Sequence, residues 1–244
     1  MSGRALALAG SLGAMGAVVG YAWLPHLLPS LRISRGPAAS HTVALTFDDG
    51  PDPAWTPLVC DLLRRHDVRA SFFLVGQRAG RAPRLVRALV EEGHEVGNHG
   101  WSHRSLWLCP PGQTRAEIVR AHETLEALTG QPPRFFRPPW GMVNAALPAA
   151  LRACGERALL WSVQPEGLRP VSAALQVDRV LRRVHGGAIV NLHDAEGTAG
   201  APARLVEALP RMIEGLRAAG YAFATVGELM DLQPQGAPLG HRLT

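Results

Sequence analysis

Two adjacent carboxylates, Asp48 and Asp49, end the run HTVALTFDD, and Gly50 and Pro51 follow them. Thr42 to Thr46, mostly β-branched or apolar, reads as a short buried strand that the Gly-Pro pair stops. Charges at the mouth of a buried strand are costly unless a metal, a cation or a reaction uses them. The rival reading is a polar turn in which Asp49 caps the next helix. Later strand ends favour the chemical reading. His99 and His103 in NHGWSH are separated by three residues, a spacing that puts both imidazoles on one face of a turn. Two imidazoles and one carboxylate form a common facial set for a divalent transition metal. In RFFRPPWG, prolines and a glycine fix a rigid turn that can aim a backbone N–H at a ligand, as an oxyanion hole requires. Arg137 can pair with a carboxylate and favour its charged form. Trp161 ends an apolar run and can wall a pocket or fill the core. His193 and Asp194 follow the most apolar strand, where an imidazole can shuttle a proton.

Those groups need elements to hold them. Strands are expected at 42–46, 70–74, 95–98, 134–137, 158–163, 188–192 and 221–225. Helical spacing covers 54–66, 83–92, 115–128, 144–153, 173–184 and 203–219, with Thr114 as a cap and Glu117 three residues on. Strands alternating with helices over this length predict an α/β fold with a parallel sheet or barrel. Five strands then deliver polar groups at their C-terminal ends, the face on which parallel α/β barrels carry active sites.

Composition narrows the field. The chain has 244 residues, 47% of them hydrophobic, enough for a sizeable core. All 25 basic residues are arginine, and the net charge is +5. They are scattered without a basic run, so no nucleic-acid partner is expected. Cys60, Cys109 and Cys154 are odd in number and far apart, which excludes a disulfide framework and a zinc-finger spacing.

From Ala5 to Leu28 the sequence carries no acid or base apart from His26. About 20 apolar residues suffice to cross a bilayer as a helix. Tyr21 and Trp23 lie where an interfacial aromatic belt falls. A hydrophobic N-terminal helix acting as an uncleaved anchor is expected over a cleaved signal, because PAAS at 37–40 is a poor cleavage site. Residues 1–40 are then segment and linker, 41–232 the α/β domain, and 233–244 a short tail.

Taken in order, TFDDGP, HGWSH, RFFRPPWG and LHD resemble the polysaccharide deacetylase family, carbohydrate esterase family 4, over roughly His41 to Leu232. The resemblance implies a distorted barrel of about seven parallel strands. It implies metal-dependent removal of an N-acyl group, most often N-acetyl, from an amino sugar in a glycan or cell-envelope polysaccharide. By position, Asp48 resembles the catalytic base, and Asp49, His99 and His103 the ligands of a divalent metal, with zinc favoured over cobalt or nickel. Arg137 resembles the arginine that holds the base, Trp140 the oxyanion donor, His193 the general acid and Trp161 the tryptophan beside it, so that Trp140 and Trp161 would face substrate. The domain is expected outside the cytoplasm, anchored to the membrane or secreted. Two alternatives stand: a deacylase or deformylase of a lipid-linked amino sugar, and a non-catalytic metal or glycan binder. One departure is clear. Where the family usually carries an aspartate that orients the acid histidine, this chain has Gln164, with Glu166 two residues on as a possible substitute.

Overall fold

In the computed structural model, residues 16, 18–27, 33–167, 169–195 and 197–232 are described. Among these residues seven parallel strands carry the fold: β1 (Thr42–Asp48), β2 (Ser71–Leu74), β3 (Glu95–Asn98), β4 (Phe135–Phe136), β5 (Arg157–Ala158), β6 (Ile189–His193) and β7 (Ala222–Phe223). They pair in the order β5-β4-β3-β2-β1-β6, with β7 on the start of β1. β1 is central because both faces of TVALTF are buried, as a strand covered on two sides requires. Just past β5 the chain comes round to β6: Val163 bridges Val190, and the Asn191 N–H donates to the Val163 carbonyl at 2.9 Å. The curled sheet therefore meets itself, as the expected distorted barrel does. Two-residue strands at β4, β5 and β7 make the ring irregular.

Among the described residues eight α-helices surround the sheet: α1 (Thr56–Arg65), α2 (Gly76–Arg81), α3 (Pro83–Glu91), α4 (Pro111–Thr129), α5 (Leu147–Cys154), α6 (Ala173–Arg183), α7 (Ala201–Ala218) and α8 (Val226–Asp231). The main core joins Leu45, Phe47, Phe72 and Leu74 of the sheet to Leu63, Leu89, Leu209 and Met212 of the helices. Helices α2 and α8 are absent from the sequence reading; GQRAGR in α2 has no apolar stripe to announce it. The expected cap at Thr114 is corrected. Pro111 starts α4 four residues before the expected Arg115, as proline at a first helical position does. Thr114 then lies inside the helix, buried, and its hydroxyl donates to the Cys109 carbonyl at 3.2 Å.

The N-terminal stretch departs from a plain helix. Val19–Trp23 is one π-helical turn and Leu24–Leu27 a 3-10 turn; residues 5–15, 17 and 28 of the expected anchor lie outside the described residues. Among the described residues no helix is long and apolar enough to cross a membrane. Instead Tyr21 donates its hydroxyl to the Cys109 carbonyl at 2.6 Å, and Trp23 meets Trp107 edge to face at 5.1 Å. Ile33 and Arg35, expected in a linker, bridge Leu159 and Ala188. The expected tail at 233–244 also lies outside the described residues.

His94, just before β3, illustrates how burial fixes a protonation state. Its ring packs on Phe72 at 5.2 Å, and its Nδ1 accepts from the Ala70 N–H at 3.2 Å. Burial first, then Arg69, lowers its pKa to about 4. The unfolded chain therefore binds more protons than the folded one between about pH 6.5 and 4, and stability must fall as pH drops through that window. The gap corresponds to roughly 3 kcal/mol. In chelated protein, His94→Gln keeps an acceptor for Ala70 and is expected to flatten this acid slope in urea midpoints. A slope unchanged by the substitution would refute the assignment.

Candidate active site

The C-terminal ends of β1, β3, β4 and β6 converge on one face, where the polar groups collect. β1 delivers Asp48 and Asp49 into different surroundings. Asp49 has left-handed backbone at φ 75°, which turns its side chain away from the strand direction. His103 (φ 59°) and Trp140 (φ 54°) share that uncommon conformation; among the described residues only Asp67 joins these three as a non-glycine with positive φ. Such backbone costs about 1 kcal/mol or more per residue and concentrates at functional sites.

Asp49 Oδ1 lies 2.8 Å from His103 Nε2 and 3.3 Å from His99 Nε2. The tautomer of His99 follows from its other nitrogen. Nδ1 sits 2.7 Å from the Arg137 carbonyl, an acceptor only, so Nδ1 carries the proton. Nε2 then faces the Asp49 oxygen either with a second proton or with a lone pair, and in the lone-pair form a metal cation must lie between the two acceptors. Burial alone would raise the Asp49 pKa, but His103 and His99 pull it well below the ordinary carboxylate range. Burial opposes charge on His99, yet Asp48 and Asp49 outweigh it and raise its pKa. The three donor atoms lie within 4.8 Å of one another. The set fits a divalent transition metal on its own chemistry.

The second carboxylate has a different partner. Asp48 Oδ1 accepts from Arg137 Nη1 at 2.6 Å, with both side chains buried. Arg137 is wholly buried, and three further groups hold it: Thr46 Oγ1 at 2.8 Å, Asn191 Oδ1 at 3.2 Å and the Leu160 carbonyl at 3.2 Å. Its guanidinium lies 4.0 Å from the Phe73 ring and 5.7 Å from the Trp161 ring. Burial lowers its pKa and Asp48 opposes that shift. Thr46 and Asn191 are polar residues inside apolar strands, and that was their signal in the sequence.

The loops that carry these groups are clamped from behind. Arg78 donates to the Asp49 carbonyl at 2.7 Å, and the Gly76 N–H to the Gly100 carbonyl at 2.9 Å. Glu117, expected in a helix cap, instead accepts from the Ser102 N–H and hydroxyl at 2.8 and 2.7 Å, which fixes the turn between His99 and His103. Gly50 has a stricter reason: a Cβ there would lie 2.6 Å from the Asp194 carboxylate. Asp194 is buried, accepts from the Thr56 hydroxyl, and has its pKa pushed up to about 7, by burial before any charge. It buttresses the turn beneath the carboxylates.

His193 pairs in register with Asp48 across β1 and β6 and is half-buried, so it faces the site. Trp140 is exposed, 4.4 Å ring to ring from His103, and Trp161 packs beneath Gly141. One expectation fails on geometry. Glu166 does not turn to His193; Arg204 Nη2 holds it at 2.6 Å and the Val171 N–H at 3.3 Å. Among the described residues no side chain hydrogen-bonds His193, and Gln164 does not fill that role.

Comparison with known proteins agrees with this geometry. The polysaccharide deacetylase family model matches residues 35–159. A peptidoglycan-N-acetylglucosamine deacetylase of Bacillus cereus is 36% identical over 199 residues, which is 80% of this chain and 70% of that protein. Against PgdA of Listeria monocytogenes the chain spans 42% of the relative's length. The solved Bc1960 peptidoglycan N-acetylglucosamine deacetylase superposes with a TM-score of 0.77 at 33% identity, over 84% of this chain and 94% of that one. BA3943 of Bacillus anthracis, described as a pseudoenzyme, superposes at 0.75 with 28% identity, over 84% and 70% of the two chains. With the motifs, the curled sheet and a family model covering half its length, the chain belongs to the polysaccharide deacetylase family.

Proposed function

We propose that this chain is a metal-dependent hydrolase that removes N-acetyl groups from amino sugars of a cell-envelope glycan. The observation that carries the reading is the division of labour between neighbouring carboxylates: Asp49 faces two imidazoles and Asp48 faces a buried arginine. Asp49, His99 and His103 would hold the metal, zinc by donor type. When bound, it supplies polarisation of the acyl carbonyl and an acidified water. Asp48, its charge stabilised by Arg137, accepts the proton of the attacking water. The Trp140 N–H donates to the oxygen on which negative charge develops. His193 gives a proton to the leaving amine, and Trp161 supports Arg137 and the Trp140 turn. The products are a free amino sugar and acetate. A mass-spectrometric screen of acylated amino sugars, polymeric and lipid-linked, tests the reading by the acyl mass lost. Loss from a lipid-linked sugar alone would favour the lipid-linked alternative.

A non-catalytic relative is the second reading, because no side chain among the described residues holds His193. Turnover of a chromogenic acetyl substrate dismisses it. Gln164→Asp supplies a carboxylate that can stabilise the imidazolium. It is expected to raise activity and move the basic limb of the pH–rate profile upward. A limb that stays put would show that His193 is not held from this position.

Attachment to the membrane through residues 5–28 belongs to the same proposal and rests on the apolar length of that sequence. Full-length protein is expected to resist carbonate extraction from membranes, and protein starting near His41 to stay in solution. Recovery of a mature terminus between Pro37 and His41 would establish a cleaved signal instead.

A further inference from the structure

A second constellation of metal-binding side chains lies away from the proposed catalytic ligands. His122 on α4, Cys154 at the end of α5 and Glu156 just before β5 bring one ligand atom each within 4.8 Å of the others. Gly155 between the last two is left-handed at φ 68°, which lets the chain turn both neighbours toward one point. The Glu156 side chain is fully buried, and His122 Nδ1 lies 2.6 Å from its Oε1. Cys154 is half-buried, which leaves a way in from solvent. His122 Nε2 faces Glu126 at 3.8 Å, as metal-bound imidazoles face a carboxylate through their other nitrogen.

The Glu156 carboxylate accepts from Asn98 Nδ2 at 2.9 Å and lies 2.6 Å from His122 Nδ1, so a divalent ion can take the place of the proton between that pair and of the thiol proton beside it. One imidazole, one thiolate and one carboxylate form a borderline-soft set that suits zinc and disfavours magnesium or calcium.

We propose that His122, Cys154 and Glu156 form a second divalent-metal site, suited to zinc and separate from Asp49, His99 and His103. Binding displaces the thiol proton and the proton shared by His122 and Glu156, both released to water. The site adjoins the catalytic loop. Asn98, the residue before His99, donates to Glu156 Oε1 at 2.9 Å, accepts from the Gly100 N–H at 2.8 Å, and its carbonyl accepts from the Arg137 N–H at 2.8 Å.

Cobalt distinguishes the two sites, because thiolate-to-cobalt charge transfer absorbs in the near ultraviolet and Asp49, His99 and His103 contribute no sulfur. Chelated full-length protein titrated with Co2+ is expected to take up two equivalents and develop this band, and Zn2+ to erase it. Cys154→Ser and His122→Gln are expected to lose one equivalent and the band while keeping deacetylase activity. His99→Ala is expected to lose activity and the other equivalent while keeping the band, and Cys60→Ala to change neither. Saturation at one equivalent without the band overturns the proposal and leaves His122–Glu156 a hydrogen-bonded pair. A band that survives Cys154→Ser overturns it equally.

Discussion

Asp49→Asn, His99→Ala and His103→Ala are each expected to lose one equivalent of metal and nearly all deacetylase activity together, with the fold retained. Asp49 is the hub, because both imidazoles point at the same oxygen. Asparagine in its place would offer a neutral oxygen where the metal needs charge. His99 should matter more than His103. Its ring is buried and oriented by the Arg137 carbonyl, whereas a quarter of the His103 side chain is exposed. Orientation of that kind is worth about 10–100-fold in metal affinity. Metal content by mass spectrometry and circular dichroism of the three variants would decide the matter. Metal unchanged in both histidine variants would sink the ligand assignment.

Much of this site was legible because its chemistry is local. DDGP and NHGWSH each place their candidate ligands within a few residues, at strand ends marked by a change from apolar to polar. What was not legible is what depends on register. Asp48 meets Arg137 across 89 positions of sequence, and His193 lies opposite Asp48 only because β6 pairs with β1. Thr46 and Asn191 carry a weaker signal, since a polar residue in a buried strand must find a partner but its sequence does not say which. Glu166 shows the opposite case: proximity in sequence suggests a role beside His193, but Arg204, 38 positions away, holds the carboxylate. Glu117 shows the same competition, since the Ser102 turn uses the side chain that a helix cap would have used. β1, β2 and β6 lie close to expectation because burial on both faces leaves a plain apolar run, whereas 158–163 shortens to Arg157–Ala158 and 221–225 to Ala222–Phe223, where one face or more meets solvent. Helix starts came out less well, because one proline moved the cap of α4.

Asp48→Asn separates catalysis from metal binding. The substitution removes the proposed proton acceptor but leaves Asp49, His99 and His103 untouched. Metal should therefore bind nearly as in the parent, while activity falls by about 100-fold or more, the usual scale for a lost general base. Stability complicates the reading, and its sign can be stated. Arg137 has no exposure, so removing its anionic partner leaves a buried cation, a change that costs roughly 3–5 kcal/mol when nothing compensates. Here Thr46, Asn191 and the Leu160 carbonyl still accept from the guanidinium, and the asparagine oxygen can replace Asp48 Oδ1. A lower melting temperature is expected, short of unfolding. Assays are then best run well below that midpoint, on protein whose metal content has been measured. If Asp48→Asn loses metal in step with activity, Asp48 is itself a ligand. The two aspartates would then have to exchange roles.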